Sequence, residues 1–199
     1  YAHVDTALAR RVHQLAILES IGRELSAAIH SERLFELILD HAMNFTNSRW
    51  GELSLYDSNS HMLEVKAARG FSVNRIQSPL NEGLAGRAVS SRQVVNVGDV
   101  RIEPAYIDLT NGEARSQLCI PLTHEESVLG VLSMQSDEVQ AYSENDQNFI
   151  SQLANQAAIA VVNAQLYGQT QRRLRELSVL YLVSTHLVTN PDIQSVMQT

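Results

Sequence analysis

Cysteine occurs once in this chain of 199 residues, at Cys119. One thiol forms neither an internal disulfide nor a multi-cysteine metal site. That fits a reducing compartment, and a cytoplasmic location is expected. Long apolar runs are missing too. Ala157 to Val162 is among the longest, against the roughly 20 residues that a membrane-spanning helix needs. No basic stretch followed by an apolar one marks a signal peptide, so no membrane partner is expected. Positive charge is scarce. Fifteen Lys and Arg against 22 Asp and Glu give a formal net charge of −7, which disfavours nucleic acid and anionic lipid as partners. Aromatics make up only 6%, yet 44% of residues are apolar, enough for one sizeable core. The chain begins at Tyr1 rather than methionine and reads as a piece of a larger protein.

Apolar spacing lays out the elements. From about Asp5 to Ile29, Leu8, Val12, Leu15, Leu18, Ile21 and Leu25 recur at steps of three and four, the period of a helix. Ser31 can cap a second helix, with a stripe of Leu34, Leu37 or Ile38, His41 or Ala42, and Phe45. The period then drops to two. Leu53 and Leu55 alternate with Glu52, Ser54 and Tyr56, Asp57-Ser58-Asn59-Ser60 turns, and Leu63, Val65 and Ala67 alternate in the same way up to Gly70. That pattern predicts an antiparallel hairpin. Phe71 to Glu82 reads as a loop, Leu84 to Ser90 as a short helix, and Val94, Val95 and Val97 as a strand. Asp99 to Gly112, with Pro104, is irregular. Leu118, Ile120 and Leu122 start a second hairpin, which turns at His124 to Ser127 and returns over Val128 to Met134. Ser143 with Asp146 three residues on predicts a capping box at the start of the last helix. Nothing stronger than Gly168, which costs about 1 kcal/mol against alanine, interrupts that helix before Asn190-Pro191. A helix of about 45 residues argues for a coiled-coil or connector element.

The two ends of the chain resemble each other. Leu15 to Ile21 followed by Leu25 matches Leu177 to Val183 followed by Leu187, 162 residues further on. With three residues deleted, Leu34-Phe35-Glu36-Leu37-Ile38 matches Ile193-Gln194-Ser195-Val196-Met197, and Pro191 opens the second helix of the tail copy. The expectation is a parent protein with tandem domains at that spacing.

An ordered set of features now resembles the GAF domain family. Gly83-Leu84-Ala85-Gly86-Arg87-Ala88-Val89 resembles its glycine-bracketed helix start, and Val95-Asn96-Val97 with Asp99 its next strand and aspartate. Arg115-Ser116-Gln117-Leu118-Cys119-Ile120-Pro121-Leu122 resembles its basic-small-x-apolar strand, with Pro121 where a strand can end. Gly130-Val131-Leu132 resembles the returning strand, and Tyr142 with Asp146, then Asn163 to Tyr167, its C-terminal helix. The match runs from about Glu19 to Tyr167. It implies an α+β fold, a central antiparallel β-sheet with flanking helices (GAF/PAS-like), carrying long N- and C-terminal connector helices. The expected division is a connector helix over 1–30, the domain over 19–167, and a connector helix with the start of a following repeat over 168–199.

Each ligand class known in that family leaves marks that can be sought. Cyclic-nucleotide-binding members share an Asn-Lys pair, a later Phe and Asp-Glu. Here Ser136 and Asp137, Tyr142, and Asp146 and Gln147 stand in those places. Asp137 and Asp146 would repel if close, and Asp146 reads as a helix cap. Bilin-binding members carry a cysteine before the second hairpin, where Asp99 to Gly112 has none. Cys119 lies in a predicted strand and reads as a buried structural thiol. Methionine sulfoxide reduction needs an attacking thiolate and a resolving partner, which one cysteine does not supply. None of the seven histidines forms an i, i+4 metal pair, and neither Gly-x-Ser-x-Gly nor Gly-x-x-x-x-Gly-Lys occurs. The segment is read as non-catalytic, with no metal and no cofactor.

The resemblance carries pocket positions onto Gly51, Ala68, Arg69, Ala85, Ile107 and Ser133, with Tyr106, Arg115 and Ser116 beside them. Arg69 and Arg115 are the residues of that set able to give charge-assisted hydrogen bonds, unless each is simply a solvated surface charge; the pocket reads as empty or degenerate, or as taking a small anion or a modest apolar metabolite, and the ligand is left unknown. The function read from all this is a small-molecule sensor that transmits ligand state through the terminal helices of a parallel homodimer. The alternatives are a structural dimerisation or spacer module with a vestigial pocket and, more weakly, a cyclic-nucleotide-binding regulatory domain.

Overall fold

The computed structural model describes residues 16–25, 33–70 and 76–189, and side chains of the last helix as far as Tyr181. The chain divides into two units, Tyr1–Val161 and Val162–Thr199. In the first, helix α1 covers residues 16–25. Its buried face is Leu18, Ile21 and Leu25, the spacing of three and four read from the sequence. Leu8, Val12, Leu15 and Ser31 lie outside the described residues. Helix α2, Leu34–Thr46, starts with Arg33 at its N-cap and no capping side chain, and buries Leu34, Ile38, Leu39 and Ala42.

The strands follow as β1 (Trp50–Asp57), β2 (Met62–Arg69) and β3 (Gln77–Pro79), then β4 (Val95–Val97), β5 (Ser116–His124) and β6 (Ser127–Ser136). Between them lie helix α3, Gly83–Ser91, and a 3-10 turn at Val100–Ile102. All six strands pair antiparallel in the order β3-β2-β1-β6-β5-β4. Side chains alternate faces along each strand, so register decides which residues share a side. Leu53 of β1, Leu132 and Met134 of β6, and Leu118 and Ile120 of β5 share one face and are all fully buried. Gly51 stands on that face against Leu39 and Met43 of α2, which makes it the α2 side. The other face holds Leu63, Val131, Cys119 and Val95, packed on Leu84, Ala88 and Val89 of α3.

The first hairpin departs from simple alternation. Leu53 pairs with Ala67 but Ser54 pairs with Val65, which leaves Lys66 as the extra residue of a bulge. Leu63 and Val65 therefore face α3, while Ala67 crosses to the α2 side. The sequence pattern had put all three together; one inserted residue flips every side chain beyond it. Pro121 is a second departure. It pairs with Val131 and β5 runs on to His124 rather than ending there. The pairing with β4 covers only Gln117 to Cys119, so β5 at Pro121 is an edge on that side, where a missing N–H is tolerated.

Helix α4 runs from Glu144 to Thr189, 46 residues, through Gly168 without a break. Its N-terminus is a reciprocal capping box: Ser143 N–H donates to Asp146 Oδ2 at 2.9 Å and Asp146 N–H to Ser143 Oγ at 3.3 Å. Phe149 stacks on Phe45 of α2 with ring centroids 3.5 Å apart. Tyr142, just before the helix, is tied by its hydroxyl to Ser48 and by its carbonyl to the Asn96 amide. In the second unit, Leu174, Leu177, Leu180 and Tyr181 are 52 to 70% exposed. Leu187 and the tail copy of the repeat at Ile193 to Met197 lie outside the described side chains.

Gly86 and Gly168 give opposite expectations. A Cβ on Gly86 would overlap the Leu80 carbonyl, which is backbone and cannot step aside. Gly86→Ala should destabilise the sheet unit by roughly 1–3 kcal/mol, as overpacking does. A Cβ on Gly168 would meet nothing within 4 Å, so Gly168→Ala should raise helix stability by up to about 1 kcal/mol. Chemical denaturation followed by circular dichroism measures both.

Candidate functional site

A cavity of about 560 Å³ opens on the α3 face of the sheet. The residues that form its floor follow from register. Trp50, Gln135 and Gln117 pair in one row across β1, β6 and β5, and Glu52 stands in the next row opposite Ser133. The start of α3, Gly83 to Ala85, forms one wall, and Ile107 to Asn111 with Glu113 forms another. Val65, Gly70, Gln77, Ser78 and Glu82 complete the lining on the β2–β3 side.

The irregular wall is shaped by one carboxylate. Asp108 Oδ1 accepts the Thr110 N–H at 2.8 Å and its hydroxyl at 2.9 Å, and Oδ2 accepts the Gly112 N–H at 2.7 Å. Thr110 Oγ1 in turn accepts the Ala114 N–H. Burial alone would raise the Asp108 pKa, but the donors from Thr110 and Gly112 outweigh it and hold the carboxyl below its ordinary value. This fold-back places Tyr106 behind the wall, where its hydroxyl donates to Gln135 Oε1 at 3.0 Å. Burial raises the Tyr106 pKa, so the hydroxyl stays a donor.

The polar pairing continues into the next row on the same face of the sheet. Gln117 Nε2 donates to Ser133 Oγ at 2.8 Å, and Cys119 Sγ lies 3.4 Å from the same oxygen. Cys119 is fully buried, and desolvation pushes its thiol up to about 12. A thiol held that high carries almost no thiolate at neutral pH, and the thiolate is the reactive form. At the rim, Arg49 bridges Glu113 at 2.6 Å and Asp137 at 3.2 Å and lies 4.6 Å over the Trp50 ring. The described lining residues include four carboxylates, Glu52, Glu82, Asp108 and Glu113, of which Glu113 is the one paired with this guanidinium. The described residues include no cluster of three His, Cys, Asp or Glu able to hold a metal ion. They also include no helix long and apolar enough to cross a membrane.

Residues 28–162 match the GAF domain family. The chain belongs to that family. GAF domains are small-molecule sensory and regulatory folds of signalling proteins. Among curated relatives, the dual 3',5'-cyclic-AMP and -GMP phosphodiesterase 11A of Takifugu rubripes is 22% identical over 62% of this chain and 14% of its own length. GAF domain-containing protein A of Dictyostelium discoideum is 23% identical over 54% of this chain and 66% of its own. The chain thus spans less than two thirds of either relative. Among solved structures, the GAF domain of an Acinetobacter phosphoenolpyruvate-protein phosphotransferase superposes with TM-score 0.69 at 21% identity, over 79% of this chain and 98% of that one. A Thermoplasma acidophilum free methionine-R-sulfoxide reductase superposes with TM-score 0.60 at 21% identity, over 69% and 94%. These likenesses carry the fold, which non-catalytic GAF domains share with reductases.

Of the nine positions named from the sequence, Ala85 and Ile107 line the cavity. Gly51 and Arg69 pair with each other on the α2 side of the sheet, away from it. There Arg69 Nε binds Asp40 at 3.0 Å and its Nη2 lies 3.4 Å from Glu36. Arg115 spends its guanidinium on the carbonyls of Gly112 and Ala114. Both arginines weighed as charge-assisted donors are thus engaged elsewhere. Ser116 Oγ donates to the Glu138 carbonyl. Ala68 pairs with Glu52 on the cavity face but stands outside the lining, and Ser133 and Tyr106 support Gln117 and Gln135 from behind. Asp137 and Asp146 have separate partners, Arg49 and Ser143.

Trp50, Glu52, Gln117 and Gln135 were passed over in the sequence. A signal existed: Glu52, Gln117, Ser133 and Gln135 are polar residues at alternate positions of otherwise apolar strands. That is how a polar site on a buried sheet face looks in sequence.

Two expectations follow. Native Cys119 should react with a bulky maleimide only at the rate of unfolding, as followed by mass spectrometry with and without denaturant. Asp108→Asn should destabilise the first unit at neutral pH by loosening the turn at Thr110 and Gly112. A carboxyl held low in the folded state stabilises above its unfolded value near 3.8 and loses that contribution as pH falls below it. The stability gap between wild type and Asp108→Asn should therefore be full at pH 7 and shrink below pH 4, as read from urea titrations at both pH values.

Proposed function

We propose that this GAF domain is a non-catalytic small-molecule sensor whose ligand state reaches α4 and is read out by a parallel pair of such helices in a multidomain signalling protein. The observation that carries the reading is the position of Arg49. It belongs to the cavity rim, and the same guanidinium holds Glu113 of the rim and Asp137 of the segment that leads into α4. A ligand that draws Glu113 or Arg49 inward alters the pairing of Asp137, seven residues before the helix starts at Glu144. The same segment is tied to the sheet through Ser116 with Glu138, Gly98 with Gln140, and Asn96 with Tyr142. A local shift there has few directions to go except along the helix.

The helix supplies the second half of the reading. Tyr167, Thr170, Leu174, Leu177 and Tyr181 follow steps of three and four, near the 3.5-residue repeat of a coiled coil. Tyr167, Leu174, Leu177 and Tyr181 are each more than 40% exposed, an apolar stripe that a second copy of the chain would cover. Arg172 and Glu176 pair at 3.7 Å as a charged border. Cyclic nucleotides, on which the phosphodiesterase relative acts by its name, are disfavoured here, because the one arginine of the described lining, Arg49, is already paired with Glu113 and Asp137.

Sedimentation at micromolar concentration tests the pairing. A dimer is expected, and Leu174→Glu with Leu177→Glu should dissociate it by at least tenfold in Kd while the sheet unit keeps its circular dichroism. A monomeric wild type would sink the paired-helix readout. A dimer indifferent to every metabolite tried would instead favour the spacer role.

A further inference from the structure

The cavity floor has a more specific character than its charge. Gln117 and Gln135 are a direct cross-strand pair, 6% and 3% exposed. Each spends one end of its amide on the protein: Gln117 Nε2 on Ser133 Oγ and Gln135 Oε1 on the Tyr106 hydroxyl. Those two bonds orient the amides. They turn the Gln117 carbonyl oxygen and the Gln135 amide nitrogen to the cavity, and among the described residues neither atom has a protein partner. The floor thus presents an acceptor and a donor side by side, on neighbouring strands at one level, next to the Trp50 ring. No fully buried side-chain polar atom among the described residues lacks a partner, so these two ends are held open at the cavity surface, where a solute can replace water on both at once.

Resting on the reading of this cavity as a ligand site, we propose that it takes a small uncharged molecule bearing a carboxamide, lactam or ureide group. The N–H of that group would donate to Gln117 Oε1, and its carbonyl would accept from Gln135 Nε2. A carboxylate cannot serve, for two reasons. It has no N–H for Gln117, and it would enter a described lining that holds more carboxylates, Asp108 and Glu113 among them, than cations. The N–H groups at the start of α3 suit a neutral carbonyl oxygen as well as an anion, so they do not reverse the preference.

Nicotinamide and nicotinate form the decisive pair of probes, since they differ only in an amide against a carboxylate. In thermal unfolding of the full chain, millimolar nicotinamide, uracil or allantoin should raise Tm by several degrees through mass action, and nicotinate should not. The Gln117→Met, Gln135→Met double variant should lose the response. Tyr106→Phe, which keeps the ring and removes only the bond that orients Gln135, should weaken it severalfold by titration calorimetry and guards against a double variant that fails to fold. No shift from any of the three amides overturns the proposal, as does an equal or larger shift with nicotinate or with cyclic AMP or cyclic GMP. Binding is read here independently of helix pairing. If the Leu174→Glu, Leu177→Glu variant is monomeric yet still responds to nicotinamide, the ligand class stands whatever becomes of the paired-helix readout.

Discussion

Everything in the sheet unit hangs on the register of β5 against β6. That pairing runs from Ser116 with Ser136 to His124 with Ser127 and joins the outer strand β4 to the β1–β2 hairpin. Because side chains alternate strictly, this single alignment sorts the middle of the sheet into an apolar face toward α2 and a mixed face toward α3. A slip of β5 by one residue against β6 would send Leu118, Ile120 and Leu122 to the α3 face and turn Gln117 and Cys119 against α2. The cost of that exchange, several fully buried apolar side chains for polar ones, is what holds the register.

A mixed face is tolerable only if its polar groups are paired. Ser133 takes the Gln117 amide and lies against the Cys119 thiol, and Tyr106 reaches Gln135 from the loop. Among the described residues no fully buried side-chain polar atom lacks a partner. The open ends of the two glutamines are accordingly at the cavity surface, not inside the packing. Polar character here is organised by neighbours outside the lining, Ser133 in the next row and Tyr106 in the loop, which orient the two glutamines.

Charge works at the rim in the same economical way. One arginine joins a cavity wall, a tryptophan face and the segment before α4, and one aspartate folds the loop that carries Tyr106. Both depend on residues distant in sequence or on a turn of main-chain donors, and neither shows as a motif. The arginines that do stand out in sequence, Arg69 and Arg115, are used to fasten structure: the first to Asp40 and Glu36 of α2, the second to carbonyls of its own loop.

Local rules made much of this protein legible in the sequence. The period of three and four marked α1, Ser143 and Asp146 marked the cap of α4, the lack of a strong breaker before Asn190 marked its continuity, and the alternation of Leu118, Ile120 and Leu122 marked the second hairpin. Each depends on residues a few positions apart, so the chain itself contains the information. The bulge at Lys66, the crossing of Ala67, the diversion of Arg69 to α2 and the meeting of Gln117 with Gln135 belong to another class. They arise when strands far apart in sequence are aligned, and a one-residue change in that alignment reverses which face a side chain serves. The sequence by itself determined the elements and the family. Only the tertiary structure decided which polar residues line the cavity, because facing is a property of paired strands and not of any one of them.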